Sequence, residues 1–301
     1  MTVSSAVPKA STPCSPEHAS TSLLELSPVE FEGKFTREPF LIRHHLSEHP
    51  LFEMERLMEL AKSLPQRCIE YNAGTLPVNV DPEITPLNGL SAEETIERIS
   101  TCKSWMVLKY VEQSPAYGEL LNSCLEQIRP YSEPIAPGMT QPQAFIFLTS
   151  PGSVTPYHID PEHNFLLQIR GAKFAHLYDG RDKTLLNDVH LERFYSDKHR
   201  NLEIEESRIP DCWKFDLQPG MGLHFPVTYP HWIQNQDDVS ISFSITFRTP
   251  DLDKRRALYQ INHGLRNRGW SPTAPGKNKL RDTLLYNGFR LARKLGLVKS
   301  S

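Results

Sequence analysis

Three residues of this 301-residue chain, His158, Asp160 and His231, have the types and spacing to hold a reactive metal ion. In a strand, residues two apart project from the same face, so His158 and Asp160 can grip one ion while Ile159 points away. Two imidazoles and one carboxylate on one face of an ion leave three coordination positions open, as in non-haem Fe(II) oxygenase centres. His231 is read as the third ligand.

The dipeptide spacing alone proves little. Acids make up 36 of 301 residues, so 12 histidines give roughly 1.4 His-x-acid matches by chance, and the chain has two, His158/Asp160 and His190/Glu192. Context separates them. Thr155, Asn164 and Lys173 surround the first pair, and a Pro-Gly turn with a short strand leads into His231. His190 lies in a charged run that reads as a solvated helix, so that pair is set aside. His163 and His224 are assigned structural or supporting roles.

In order along the chain stand Thr-Pro-x-His-x-Asp at 155–160, Asn-Phe at 164–165, Gln-Ile-Arg-Gly-x-Lys at 168–173 and Pro-Gly-x-x-Leu-x-x-Pro-x-x-x-x-His at 219–231. This series resembles the Jumonji C class of 2-oxoglutarate oxygenases, most of all its asparaginyl-hydroxylase branch, typified by factor inhibiting hypoxia-inducible factor. The likeness runs from about Phe145 to Thr249. It implies that His158, Asp160 and His231 bind Fe(II), and that Thr155 and Lys173 hold the far carboxylate of 2-oxoglutarate. Asn164 falls on a further cofactor-contacting position. On the last strand, where relatives tend to carry Asn, Thr246 takes the cofactor-end place.

The chemistry accounts for these residue types. The far carboxylate of a chelated 2-oxoglutarate would lie deep in an apolar barrel, where an unpaired charge costs several kcal/mol. An ammonium and a hydroxyl there would compensate it. The class implied is a dioxygenase that takes molecular oxygen, converts 2-oxoglutarate to succinate and hydroxylates a protein side chain. Two alternatives stand beside it: a hydroxylase of a sugar or lipid-linked glycan at a membrane surface, and a non-catalytic cupin-like regulatory or binding protein.

Positioning such a site requires a strand-rich core. Val239, Ile241, Phe243, Ile245 and Phe247 alternate with Ser240, Ser242, Ser244 and Thr246, a period of two. The polar face meets solvent or lines a barrel, and the resemblance favours the second. Long connections between short strands suit a jelly roll, and the resemblance implies a mainly β fold with flanking helices around the double-stranded β-helix of the cupins. Upstream, Met54, Leu57, Met58, Ala61 and Leu64 follow helical spacing, Ser91 and Glu94 form a capping box, and Leu120, Leu121, Cys124, Leu125 and Ile128 make another stripe. The expected organisation is a disordered tail at 1–26, a helical and mixed region at 27–135, the catalytic core at 136–250 and a basic helical region at 251–301. Segment 181–218, charged and partly helical, reads as an insertion shaping the substrate mouth.

Residues 251–301 hold 12 Lys/Arg and 3 Asp/Glu, net +9, so the preceding 250 carry −12 to reach the total of −3. Leu280, Leu284, Leu291, Leu295 and Val298 fall in one stripe of a helix there, with Arg290, Arg293 and Lys294 off it. Such a helix covers the barrel, pairs with a second copy, or lies on an anionic membrane; nucleic-acid binding is disfavoured because no reader motif accompanies the charge. Five cysteines without Cys-x-x-Cys spacing, no apolar leader-like segment and no run of 18 apolar residues point to a cytoplasmic protein.

Overall fold

The computed structural model describes residues 22–81, 86–197 and 201–296. Most of the expected tail, and Val298, lie outside the described residues. The chain opens with β1 (Leu24–Glu25), α1 (Pro28–Lys34), β2 (Phe40–His44), α2 (Met54–Ser63), β3 (Ile69–Ala73), α3 (Ala92–Glu97), β4 (Ser104–Lys109) and α4 (Pro115–Ser132). Then come β5 (Thr140–Thr149), β6 (Val154–His158), β7 (His163–Arg170), β8 (Lys173–Leu177), α5 (Asp188–Asp197), β9 (Trp213–Leu217), β10 (Met221–Phe225), β11 (His231–Asn235) and β12 (Ser240–Arg248). Two helices close it, α6 (Pro250–Arg266) and α7 (Lys279–Lys294).

Local sequence chooses these elements. Ser91 and Glu94 cap α3 reciprocally, each side chain taking the other's backbone N–H, which satisfies two donors that a helix start leaves open. The apolar stripes of α2 and α4 bury Leu57, Leu60 and Ala61, and Leu120, Leu121, Cys124, Leu125 and Ile128, against one sheet.

The strands form an antiparallel eight-stranded sheet, β1-β2-β10-β7-β12-β5-β4-β3, and a four-stranded one, β6-β11-β8-β9. These two facing sheets with outer helices are the jelly roll expected from the sequence. Strand parity sorts the larger sheet. Phe165, Leu167, Phe243, Ile245 and Phe247 face the helices, where they pack with Phe31, Phe35 and Phe40. Burying each such side chain stabilises by roughly 1.5–3 kcal/mol. Leu166, Leu223 and Phe225 face the smaller sheet.

The polar row of β12 lies inside, not in solvent. Ser242 Oγ donates to Gln168 Oε1 at 2.7 Å, and Ser244 Oγ donates to Asn164 Oδ1 at 2.8 Å. A buried hydroxyl without a partner would be costly; β7 supplies one to Ser242 and Ser244, and the Thr246 hydroxyl donates to the Gln143 carbonyl on β5 at 3.3 Å.

Three boundaries differ from the sequence expectations. β1 pairs with β2 inside the span assigned to the tail, because Leu24 is buried in the main core. Segment 181–218 is only partly an insertion, since β9 hydrogen-bonds to β8 as the edge of the smaller sheet. The helix α5 within it is not simply solvated. Glu192 is 1% exposed and accepts both charge-assisted bonds of Arg266 on α6, at 2.7 and 3.0 Å. No described helix is long and apolar enough to cross a membrane.

The leucines of α7 do not cover the barrel. Leu280, Leu284, Leu291 and Leu295 are 59–73% exposed, while the opposite side of the helix packs on α6.

Candidate active site

His158 and His231 are direct cross-strand partners of β6 and β11, and their rings lie 4.1 Å apart between centroids. Asp160 falls just beyond the end of β6, so it is a loop residue and not a strand residue as its spacing suggested. Side-chain parity nonetheless continues through it: Ile159 is buried on the far side with Leu191 and Tyr259. The loop is tied to the entry of β11 by the Thr228 N–H, which donates to the Asp160 carbonyl at 2.9 Å. Thr228 holds a left-handed backbone at φ 60°, a costly conformation for a β-branched residue.

The nearest Asp160 oxygen stands 3.7 Å from His158 Nε2 and 3.6 Å from His231 Nε2. Ligand atoms from all three residues lie within 4.8 Å of one another. His158 Nδ1 contacts the Pro156 carbonyl at 2.7 Å and His231 Nδ1 contacts the Tyr229 carbonyl at 2.9 Å. A carbonyl only accepts, so each Nδ1 carries the proton and each Nε2 presents its lone pair to the centre. That is how metal-binding imidazoles are oriented and fixed in one tautomer. The residues present fit a divalent ion.

A pocket of about 50 Å³ runs inward from the triad, walled by Thr155, Asn164, Lys173 and apolar Phe147, Leu166, Phe225 and Ile233. Thr155 stands three residues before His158 yet opens to the same cavity. The register of β6 on β11 shifts between the partners of His231 and Ile233, a bulge that resets parity. Gly171 turns β7 into β8 with φ +67°, and a Cβ there would meet the Val239 carbonyl at 2.4 Å. This tight turn places Lys173 as the first residue of β8, only 3% exposed. Burial alone pushes its ammonium down to about 7 from an ordinary 10.5, and among the described residues no carboxylate pairs with it. A half-neutralised lysine in an apolar pocket of this size has the donor set for an anionic group.

Sequence reasoning missed Trp105 on β4. Its indole Nε1–H donates to Thr155 Oγ1 at 3.0 Å, which leaves the threonine hydroxyl free to donate into the pocket. Nothing local marks it, because the tryptophan sits in an apolar strand and meets Thr155 only through sheet packing.

Thr246 does not line the inner pocket. It pairs with Asn164 across the β12/β7 ladder and faces a second, outer cavity of about 300 Å³ that shares Asp160 and Asn164 with the inner one. Tyr110, Gln143, Phe145, Phe194, Tyr195 and Arg256 also line it. Phe194 and Tyr195 come from α5, so segment 181–218 contributes part of this cavity's wall. Burial, then the nearby Arg248, lower the Arg256 guanidinium from its ordinary value.

His163 and His224 lie behind the sheet with their rings 5.0 and 4.9 Å from that of Phe35, the first stacked and the second tilted. Burial holds His163 down to about 4 and His224 well below its ordinary value, so both are neutral core residues.

Residues 125–254, which include the triad and the inner pocket, match the family model described as the JmjC domain. That stretch is similar to a JmjC domain. Over 101 residues it is 34% identical to JmjC domain-containing protein D of Dictyostelium discoideum, covering 31% of this chain and 22% of that protein. It is 33% identical over 107 residues to lysine-specific demethylase 8 of Xenopus tropicalis, covering 32% of this chain and 22% of that protein. The JmjC match therefore spans about a fifth of the length of these relatives. Among solved structures, YcfD of Escherichia coli shares 14% identity at a TM-score of 0.48, covering 90% of this chain and 69% of that one. YcfD as a ribosomal oxygenase with cobalt and 2-oxoglutarate matches at 14% identity and 0.45, covering 90% and 68%.

Proposed function

We propose that this protein is an Fe(II)- and 2-oxoglutarate-dependent dioxygenase that hydroxylates a protein side chain. The observation that carries the reading is the meeting, in one pocket, of the His158/Asp160/His231 triad with a buried lysine that has no acidic partner among the described residues. When bound, the ion and 2-oxoglutarate supply the oxidising power for inserting one oxygen atom from O₂ into a C–H bond.

The chain's own residues bind, orient and exclude water. His158, Asp160 and His231 would hold the ion through two imidazoles and one carboxylate, a ligand set that suits Fe(II) chemistry with a cosubstrate and oxygen. Lys173 and the Thr155 hydroxyl receive the far carboxylate, with Trp105 fixing the hydroxyl's direction. Phe147, Leu166, Phe225 and Ile233 keep the pocket dry, which strengthens each charged contact. Asn164, braced by Ser244, stands where the inner pocket opens to the outer cavity, and that cavity has room for one extended side chain. If the target carbon is an N-methyl group, the same insertion yields an unstable hydroxymethyl amine that loses formaldehyde, which is the reading suggested by the name lysine-specific demethylase 8.

Anaerobic addition of Fe(II) and 2-oxoglutarate tests the site. A visible metal-to-ligand charge-transfer band is expected, and Asp160→Ala should abolish it. A band of unchanged strength in that variant would move the site elsewhere. Mass spectrometry of cell extract treated with enzyme, Fe(II) and 2-oxoglutarate then decides the substrate class. One added oxygen on a protein supports the proposal, a lost methylene marks demethylation, and a product confined to the glycolipid fraction would replace the protein reading.

A further inference from the structure

Lys173 is a nucleophile as well as a cation. It is 3% exposed on the wall of the inner pocket, no acid among the described residues pairs with it, and burial lowers it to about 7. At pH 7 about half of such amines carry a free lone pair, against about one in 3,000 for a lysine of ordinary pKa. The other ionisable groups on that pocket are His158, Asp160 and His231. We infer that Lys173 is a carbon dioxide-binding site, forming a carbamate on its Nζ whenever the pocket holds no cosubstrate.

The step balances without an oxidant or a reductant. The Nζ lone pair attacks the carbon of CO₂, an N–C bond forms, one C–O π pair moves onto oxygen, and the displaced N–H proton leaves to water through the outer cavity. The product is an anionic carboxylate one bond from the nitrogen. Dissolved CO₂ suffices. Only the further supply from decarboxylation of 2-oxoglutarate rests on the proposed function.

Three features of the pocket favour that product. Its roughly 50 Å³ accommodates three added heavy atoms, since one water molecule takes about 10 to 15 Å³ of such space. Two donors stand on its wall. The Trp105 indole donates to Thr155 Oγ1 at 3.0 Å, leaving that hydroxyl's own proton for the pocket, and Ser244 donates to Asn164 Oδ1 at 2.8 Å, leaving the Asn164 amide N–H groups. Phe147, Leu166, Phe225 and Ile233 exclude water. A carbamate reverts by taking a proton on nitrogen, which a dry wall withholds.

The consequence is regulation. Carbamylation puts an anion where the far carboxylate of 2-oxoglutarate must sit, so CO₂ and cosubstrate exclude each other. A protein half carbamylated has half its sites competent, and its apparent Kd for 2-oxoglutarate is about doubled.

The test uses the full chain loaded with Zn(II), which is diamagnetic and does not activate oxygen, equilibrated with carbon-13-labelled bicarbonate. Carbon NMR should show a carbamate resonance that is absent in Lys173→Arg, whose guanidinium does not add CO₂. The resonance should also vanish from the unsubstituted protein when 2-oxoglutarate binds, a readout that needs no variant to fold. Trapping with triethyloxonium and peptide mapping should find an ethoxycarbonyl group on Lys173, separate from any on the chain's α-amine. Calorimetry at fixed pH and ionic strength should give a 2-oxoglutarate Kd at least about two-fold weaker in CO₂-equilibrated than in CO₂-stripped buffer. No trapped group on Lys173, a resonance that persists with 2-oxoglutarate bound, or an unchanged Kd would each overturn the inference. A carbamate on Lys173 in a protein that binds no 2-oxoglutarate would uphold it and sink the proposed function.

Discussion

Lys173 concentrates the physical tension of the site, because an ammonium buried without an acid costs stability until an anion arrives. Lys173→Ala should weaken 2-oxoglutarate by about 3 to 5 kcal/mol, a few hundred-fold or more, while iron binding survives; titration of cosubstrate against both proteins decides it. Its pKa, lowered by burial to about 7, adds a pH signature. A bound carboxylate favours the charged form, so binding should take up a proton above about pH 7 and weaken as pH rises. Calorimetry in buffers of different ionisation enthalpy reads that proton. The same shift affects folding with a definite sign. Between pH 7 and 10.5 the unfolded chain holds more protons at this lysine than the folded one, so its penalty is complete below 7 and fades as pH climbs toward 10.5. Trp105→Phe, which removes the donor that orients Thr155, should cost a smaller amount, about 1 kcal/mol or several-fold in cosubstrate affinity, with the charge-transfer band retained.

Elements hold these side chains through pairings that are far apart in sequence. β6 and β11 supply the two imidazoles as opposed partners, and one bulge brings Thr155 into the same cavity. The outer wall depends on α5, which Glu192 and Arg266 clamp to α6. Arg266→Ala would leave a carboxylate 1% exposed and unpaired. It should destabilise by about 2 to 4 kcal/mol, a value at the low side because Arg266 itself is partly exposed. Urea unfolding measures it, and Glu192→Leu combined with Arg266→Leu should recover most of the loss. If the single substitution leaves unfolding unchanged, α5 is held by its apolar contacts alone. The outer cavity lined by Phe194 and Tyr195 would then be independent of the clamp.

At the scale of the molecule, the stretch that matches the JmjC family is not a self-sufficient body. Residues 125–254 contain the triad, but β1, β2, β3 and β4 flank their strands in the larger sheet, and Phe31, Phe35 and Phe40 fill the core behind it. Expressed alone, that stretch would expose two sheet edges and one whole apolar face. It should lack the chemical-shift dispersion and cooperative melting of the full chain, and a dispersed amide spectrum from it would contradict this account. The leucine stripe of α7 faces outward in the single chain, so this region does not close the barrel.

The sequence by itself singled out residues that the fold brings together, His158, Asp160 and His231 in one cluster with Thr155, Asn164 and Lys173 on the adjoining pocket, because their order and turn residues survive as a readable pattern. It also determined the strand β12 and the helices α2 and α4, because side-chain period is a local property, while the jelly roll followed from the family resemblance. Tertiary structure alone decided what depends on register and neighbours. It placed Thr246 at the outer cavity, set Trp105 against Thr155, buried Glu192 in a helix that reads as solvated, and turned the leucines of α7 outward. Each outcome turns on which strand or helix lies alongside, and spacing within one segment carries no record of that.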